Sequence, residues 1–158
     1  GSEMCIRDRG GWAVLMGGSA DVLDGRIARA QGLEGPRGAF LDSTLDRFAE
    51  VGAFVGLAVY FQDSALAIVI VVMALSGSLL VSYTRARGES LGIICKVGIM
   101  QRAERLLLVG FGGVLDPALA AWTGLLGGTP LLILLAFVSV GTLGTAVYRT
   151  VWIANRLD

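Results

Sequence analysis

Of the chain's 158 residues, 54% are hydrophobic and only 16% are charged, with thirteen basic residues balanced by thirteen acidic ones. Together with a mean hydropathy of +0.71, this places the chain among integral membrane proteins of one domain and argues against a soluble domain or a nucleic-acid-binding surface. The absence of histidine excludes a Ser-His-Asp triad, His-ligated zinc and imidazole catalysis, so carboxylates must do any acid/base work. Cys5 and Cys95 lie far apart without CxxC spacing and read as incidental free thiols.

Residues 1–9 (GSEMCIRDR) lack the apolar stretch of a signal peptide and are expected to be a non-native or disordered stub. Gly10 to Ala20 covers only about 16 Å of helix against about 30 Å of hydrocarbon, which is half a span. Continuing that helix upstream would set Glu3, Arg7, Asp8 and Arg9 at mid-membrane, at a cost of several kcal/mol. A polar segment follows, then a loop made turn-rich by Gly32, Gly35 and Pro36. Ala39–Phe61 is the next span, apolar from Val51 onward, with Asp42, Asp46, Arg47 and Glu50 confined to its first turns and expected to face the protein interior. Ala65–Thr84 carries no charge and is the clearest span. A third runs from Leu106 to about Gly124, interrupted by Asp116-Pro117, and a fourth from Pro130 to Tyr148, closed by Arg149. The expected fold is an all-α polytopic bundle.

Basic residues cluster on one side of these spans: Arg26, Arg29, Arg37 and Arg47 around the first polar segment, Arg85, Arg87, Lys96, Arg102 and Arg105 in the next same-side loop, and Arg149 and Arg156 after the last span. The opposite loops are expected to hold only Asp63 and Asp116. By the positive-inside rule, the polar segment faces the cytoplasm.

That segment carries the chemistry. It reads D-V-L-D-G-R-I-A-R, eight residues, then G-A-F-L-D-S-T-L-D. Asp21 and Asp24 are three apart, and Asp42 and Asp46 four apart, so on helices each pair shares a face. Four carboxylates brought together repel one another unless cations neutralise them, and hard oxygen ligands select Mg²⁺, Mn²⁺ or Ca²⁺. A blander reading pairs the aspartates with Arg26, Arg29 and Arg47 at a helix boundary, but it explains the charges and not their spacing.

The pattern D-x-x-D-G-x-x-A-R, eight residues, G-x-x-x-D-x-x-x-D resembles the signature of the CDP-alcohol phosphotransferase family, and Asp21, Asp24, Gly25, Ala28, Arg29, Gly38, Asp42 and Asp46 meet every fixed position. The resemblance implies a six-span fold, of which this chain would hold the second half of span two plus spans three to six over residues 10–158. It implies an integral membrane transferase of phospholipid biosynthesis that moves the phosphatidyl group of CDP-diacylglycerol, or of an archaeal CDP-lipid, to an alcohol and releases CMP. It also implies a two-metal Mg²⁺ or Mn²⁺ site among Asp21, Asp24, Asp42 and Asp46, with Asp46 nearest the acceptor as general base. Asp21, Gly25, Ala28, Arg29 and Gly38 would bind the donor nucleotide, with the small residues leaving room and Arg29 pairing with the diphosphate. A homodimer is implied as well, and Gly52-x-x-x-Gly56 and Ser76-Gly77-Ser78 offer small residues for close helix packing within or between subunits.

The second basic cluster bears on the acceptor. Tyr83-Thr84-Arg85-Ala86-Arg87-Gly88-Glu89 leaves one span, and Arg102-Ala103-Glu104-Arg105 enters the next. Several guanidiniums near the carboxylates suit an acceptor that already carries a phosphate. The segments look most like the phosphatidylinositol-phosphate synthase branch, which implies that Arg85, Arg105 and Arg149, with Arg102 beside them, hold the phosphate of inositol phosphate. Ala103 stands where that branch usually has proline. Glycerol 3-phosphate, as in phosphatidylglycerophosphate synthases, is the second acceptor. A non-catalytic ion-binding membrane protein or transporter stays open as a different class, although Gly25 and Arg29 suit a nucleotide donor and no inverted repeat is found.

Overall fold

The computed structural model describes residues 35–95, 97–98 and 102–157, which form four helices: α1 (Pro36–Tyr60), α2 (Ala65–Ser90), α3 (Arg102–Thr123) and α4 (Thr129–Ala154). No strand occurs among the described residues. Three stretches, Ala65–Ser90, Glu104–Thr123 and Thr129–Ala154, are long and apolar enough to cross a membrane. The span expected over Ala39–Phe61 is helical almost throughout, but Asp42, Asp46, Arg47 and Glu50 make its first half polar.

Local sequence explains where the helices start and stop. Gly35, extended at φ −114°, caps α1, and Pro36 fills the first helical position, where its missing N–H costs nothing. The Ser64 hydroxyl accepts from the Ala67 N–H at 3.3 Å and opens α2. At the far end of α2, Gly92 takes φ +80°, and the N–H groups of Ile93 and Gly92 return to the carbonyls of Gly88 (2.9 Å) and Glu89 (3.0 Å). This Schellman closure needs the left-handed conformation that glycine supplies. Helices α2 and α4 thus run past their expected ends at Thr84 and Tyr148, because hydropathy marks where lipid ends, not where helical hydrogen bonding ends.

Asp116 corrects the expected topology. It does not lie in an exposed loop, and Asp116-Pro117 does not interrupt the span: α3 continues through both, and Asp116 is fully buried. Its two carboxylate oxygens accept from the backbone N–H groups of Gly128 (2.8 Å) and Leu131 (3.0 Å). Pro130 has no N–H and the Thr129 N–H bonds Leu126 O at 3.1 Å, so Asp116 completes the donors of the first turn of α4. Asp116→Ala should therefore lower unfolding stability by about 3 kcal/mol, from two charge-assisted bonds lost in a buried site. Thermal unfolding in detergent measures this, and an unchanged midpoint would contradict it.

The up-down order brings the start of α1, the end of α2, the start of α3 and the end of α4 to one end of the bundle. Helices α2 and α4 pack most extensively, α3 against α4 next, and α1 lies on α2. Ala67, Val71, Ala74, Ser78 and Val81 of α2 face Leu131, Leu135, Val138, Thr142 and Thr145 of α4 as two buried stripes at helical spacing. Gly77 sets their approach, since a side chain there would collide with Thr142. Phe54 and Val109 join this core from α1 and α3. Gly52 and Gly56 meet nothing within 4 Å of a Cβ position, so that part of the small-residue pattern does not pack the described helices together.

Candidate active site

Asp42, Asp46, Glu50 and Phe54 are four residues apart along α1 and share one face, which runs from exposed at Asp42 to buried at Phe54. Asp46 is 9% exposed and Glu50 is 1% exposed. A carboxylate ladder therefore descends from the surface into the apolar core. Arg47 approaches Asp46 at 3.7 Å (Nη1 to Oδ2) but donates its shorter bond, 2.7 Å, to the Ser43 carbonyl. The contact with Asp46 is thus the looser of the two that Arg47 makes. Gly38 lies in the first turns of α1, on the exposed surface, with open space where a Cβ would stand.

Asp21, Asp24, Gly25, Ala28 and Arg29 lie outside the described residues. Among the described residues no group of three His, Cys, Asp or Glu side chains forms a metal-holding cluster. What α1 contributes is two hard oxygen donors one turn apart, a donor set that fits Mg²⁺ or Mn²⁺ in chemistry and charge.

The arginines expected to hold an acceptor phosphate come from three helices. Arg149, near the end of α4, is 3% exposed and donates from Nε to Val97 O at 2.6 Å and from Nη1 to Val81 O at 3.0 Å. Gly98, at φ +125°, lies against it, and a Cβ there would stand 3.0 Å from Nε and 3.1 Å from Nη2. Val97 and Gly98 thus pack the Arg149 guanidinium in place. Arg105, on the first turn of α3, is 1% exposed. Arg85 is exposed and bonds Glu89, one turn on, at 2.9 Å from Nε to Oε1. Arg102 opens α3, and its side chain lies outside the described set. Cys95 is a free, buried thiol, as expected.

Glu50 carries a role that the sequence reading did not give it. Arg105 donates to its Oε1 from Nη2 at 3.0 Å and from Nε at 3.3 Å, across fifty-five positions of sequence. The available signal was the four-residue interval after Asp46, which puts Glu50 on the motif face.

A family model described as CDP-alcohol phosphatidyltransferase matches residues 7–152. The chain belongs to that family. Among relatives of this chain, a phosphatidylinositol phosphate synthase of Streptomyces avermitilis is 38% identical over 145 residues, covering 87% of this chain and 57% of the relative. An archaetidylinositol phosphate synthase of Methanothermobacter thermautotrophicus is 40% identical over 105 residues, covering 66% of this chain and 52% of the relative. The chain thus spans little more than half the length of either. Two crystal structures of the Mycobacterium tuberculosis phosphatidylinositol phosphate synthase share the fold. The one with CDP-DAG bound superposes with a TM-score of 0.72 at 24% identity, covering 96% of this chain and 82% of that one. The one in complex with manganese and citrate gives 0.74 at 23% identity, covering 96% and 78%.

Proposed function

We propose that the protein transfers the phosphatidyl group of CDP-diacylglycerol, or of a related archaeal CDP-lipid, to inositol phosphate and releases CMP. The observation that carries this is the helix order, which brings Arg85, Arg105 and Arg149, two of them buried, to the end of the bundle where Asp42 and Asp46 begin the carboxylate ladder. Relatives named as synthases of inositol phosphate lipids, one of them archaeal, support the same acceptor.

In the reaction, an acceptor hydroxyl oxygen bonds to the β-phosphorus of the donor, the bond from that phosphorus to the bridging oxygen breaks, and CMP leaves with the bridging oxygen. Asp46 takes the hydroxyl proton. A pair of divalent cations, Mg²⁺ or Mn²⁺, would be held chiefly by Asp21, Asp24 and Asp42, with Asp46 at the acceptor edge of the cage, and would supply charge neutralisation at the pyrophosphate. Arg29 pairs with the donor diphosphate, while Gly25, Ala28 and Gly38 leave room for the nucleotide. Arg85, Arg105 and Arg149, with Arg102 alongside, hold the acceptor phosphate and so align its hydroxyl with the donor.

The active site faces the cytoplasm: Arg37, Arg47, Arg85, Arg87, Arg102, Arg105, Arg149 and Arg156 all belong to one end of the bundle, and the turn at residues 61–64 holds Asp63 and no basic residue. A homodimer completes the proposal, with the open face at Gly52 and Gly56 available for close packing.

The test is CMP release from CDP-diacylglycerol by the full chain in lipid nanodiscs, with Mg²⁺ or Mn²⁺ added or removed by chelation. Release that needs both metal and inositol phosphate is the expected result. Metal-dependent release with glycerol 3-phosphate instead would move the acceptor assignment. Ion binding with no release from any acceptor would favour the non-catalytic class.

A further inference from the structure

We infer that Glu50 is a positioning residue for the acceptor, holding the Arg105 guanidinium at the depth of the site from which it meets the acceptor phosphate; the inference rests on the proposed function above. Four features of the structure lead to it.

First, the Glu50–Arg105 pair is almost fully buried, with side chains 1% and 2% exposed. A buried ion pair is often no more stabilising than apolar residues of the same volume, because desolvating two charges offsets their attraction. A charged pair in a membrane bundle therefore points to function ahead of stability. Second, Glu50 lies one helical turn below Asp46 on the same face of α1, about 6 Å along the axis. With the hydroxyl at Asp46 and the phosphate at Arg105, that interval suits a small acceptor whose two reacting ends are a few atoms apart. Third, α1 and α3 have little backbone packing of their own, and the Glu50–Arg105 pair ties the polar half of α1 to the start of α3. Fourth, the two bonds that Arg105 gives Glu50 converge on Oε1, and Glu50 Oε2 is buried with no hydrogen-bond partner. A pair serving the fold alone gains most when both carboxylate oxygens are satisfied in a fork-to-fork arrangement. Here Glu50 holds Arg105 by its Nε edge and fixes the plane of the guanidinium.

Glu50→Asp is the discriminating change, because it keeps the buried negative charge and withdraws the carboxylate by one methylene. The expected result is an acceptor KM raised about tenfold, the scale of a mispositioned charge contact, with the donor KM and the thermal midpoint of the purified protein little changed. Glu50→Asp should add nothing to the acceptor KM once Arg105→Ala is present, since the two act as one unit. Inositol phosphate is the acceptor probe and CMP release the readout. If Arg105→Ala raises the acceptor KM and Glu50→Asp does not, the positioning role is overturned while the acceptor reading stands. Equal rises in donor and acceptor KM, or a fall in kcat alone, would show a structural role and overturn it too. If Arg105→Ala leaves the acceptor KM unchanged, the phosphate-pocket reading itself fails and takes this inference with it. Should Glu50→Asp fail to fold, Glu50→Gln retains an oxygen acceptor for Arg105, and an unchanged acceptor KM in a folded Glu50→Gln beside a raised one in Glu50→Ala supports the positioning role.

Discussion

Asp46→Asn should lower CMP release by at least about a thousandfold while leaving metal-dependent binding of the CDP-lipid largely intact. The reason lies in the position of Asp46 on α1. It stands one turn deeper than Asp42, 9% exposed, between the outer carboxylate and the buried Glu50–Arg105 pair. A base at that depth meets the acceptor hydroxyl, and Asn is nearly isosteric but takes no proton. Asp42→Asn should behave differently and lose both turnover and donor binding, because the outer carboxylate belongs to the metal cage. Calorimetric titration with CDP in the presence of Mn²⁺, beside single-turnover CMP release, separates the two. Equal loss of CDP binding in both variants would remove the distinction between base and ligand.

Arg105→Ala should raise the acceptor KM by about a hundredfold, the scale expected when one member of a desolvated charge contact is truncated, with the donor KM changed little. Part of the effect has a structural cost: Glu50 is left charged and buried, and stability should fall by about 3 kcal/mol. Arg105→Lys keeps a charge but not the planar fork that bonds Glu50 through Nε and Nη2, so it should recover stability better than acceptor affinity. Initial rates with acceptor varied at saturating donor, and then the reverse, give both constants. An unchanged acceptor KM in the alanine variant would remove Arg105 from the phosphate pocket.

Most of the helical architecture was legible from hydropathy alone, because long uncharged runs such as Ala65–Thr84 have few alternatives in a membrane. Hydropathy could not show that α2 and α4 continue as helices beyond the apolar run, through Arg85–Ser90 and Arg149–Ala154. It also misread Asp116. An Asp-Pro pair in a soluble chain signals a turn, but here the carboxylate caps the neighbouring helix inside the bundle and α3 runs on through the proline. That Asp42 and Asp46 share a helix face was legible from spacing, and resemblance singled out Arg105 and Arg149, which are buried near the helix ends. Their surroundings were not: nothing in the sequence pairs Glu50 with Arg105 across fifty-five positions, or places Gly98 against Arg149, since such contacts depend on which helix ends meet.

Comparing inositol phosphate with free inositol as acceptor, by initial rates of CMP release in the same nanodiscs with Mn²⁺, bears most directly on what the arginines at this end of the bundle are for. A phosphate pocket built from Arg85, Arg105 and Arg149 predicts a kcat/KM for inositol phosphate at least about a hundredfold above that for inositol, the worth of one lost multi-point charge contact. Equal rates for the two would contradict it and leave Arg105 and Arg149 as ties within the bundle, to Glu50 and to the Val81 and Val97 carbonyls.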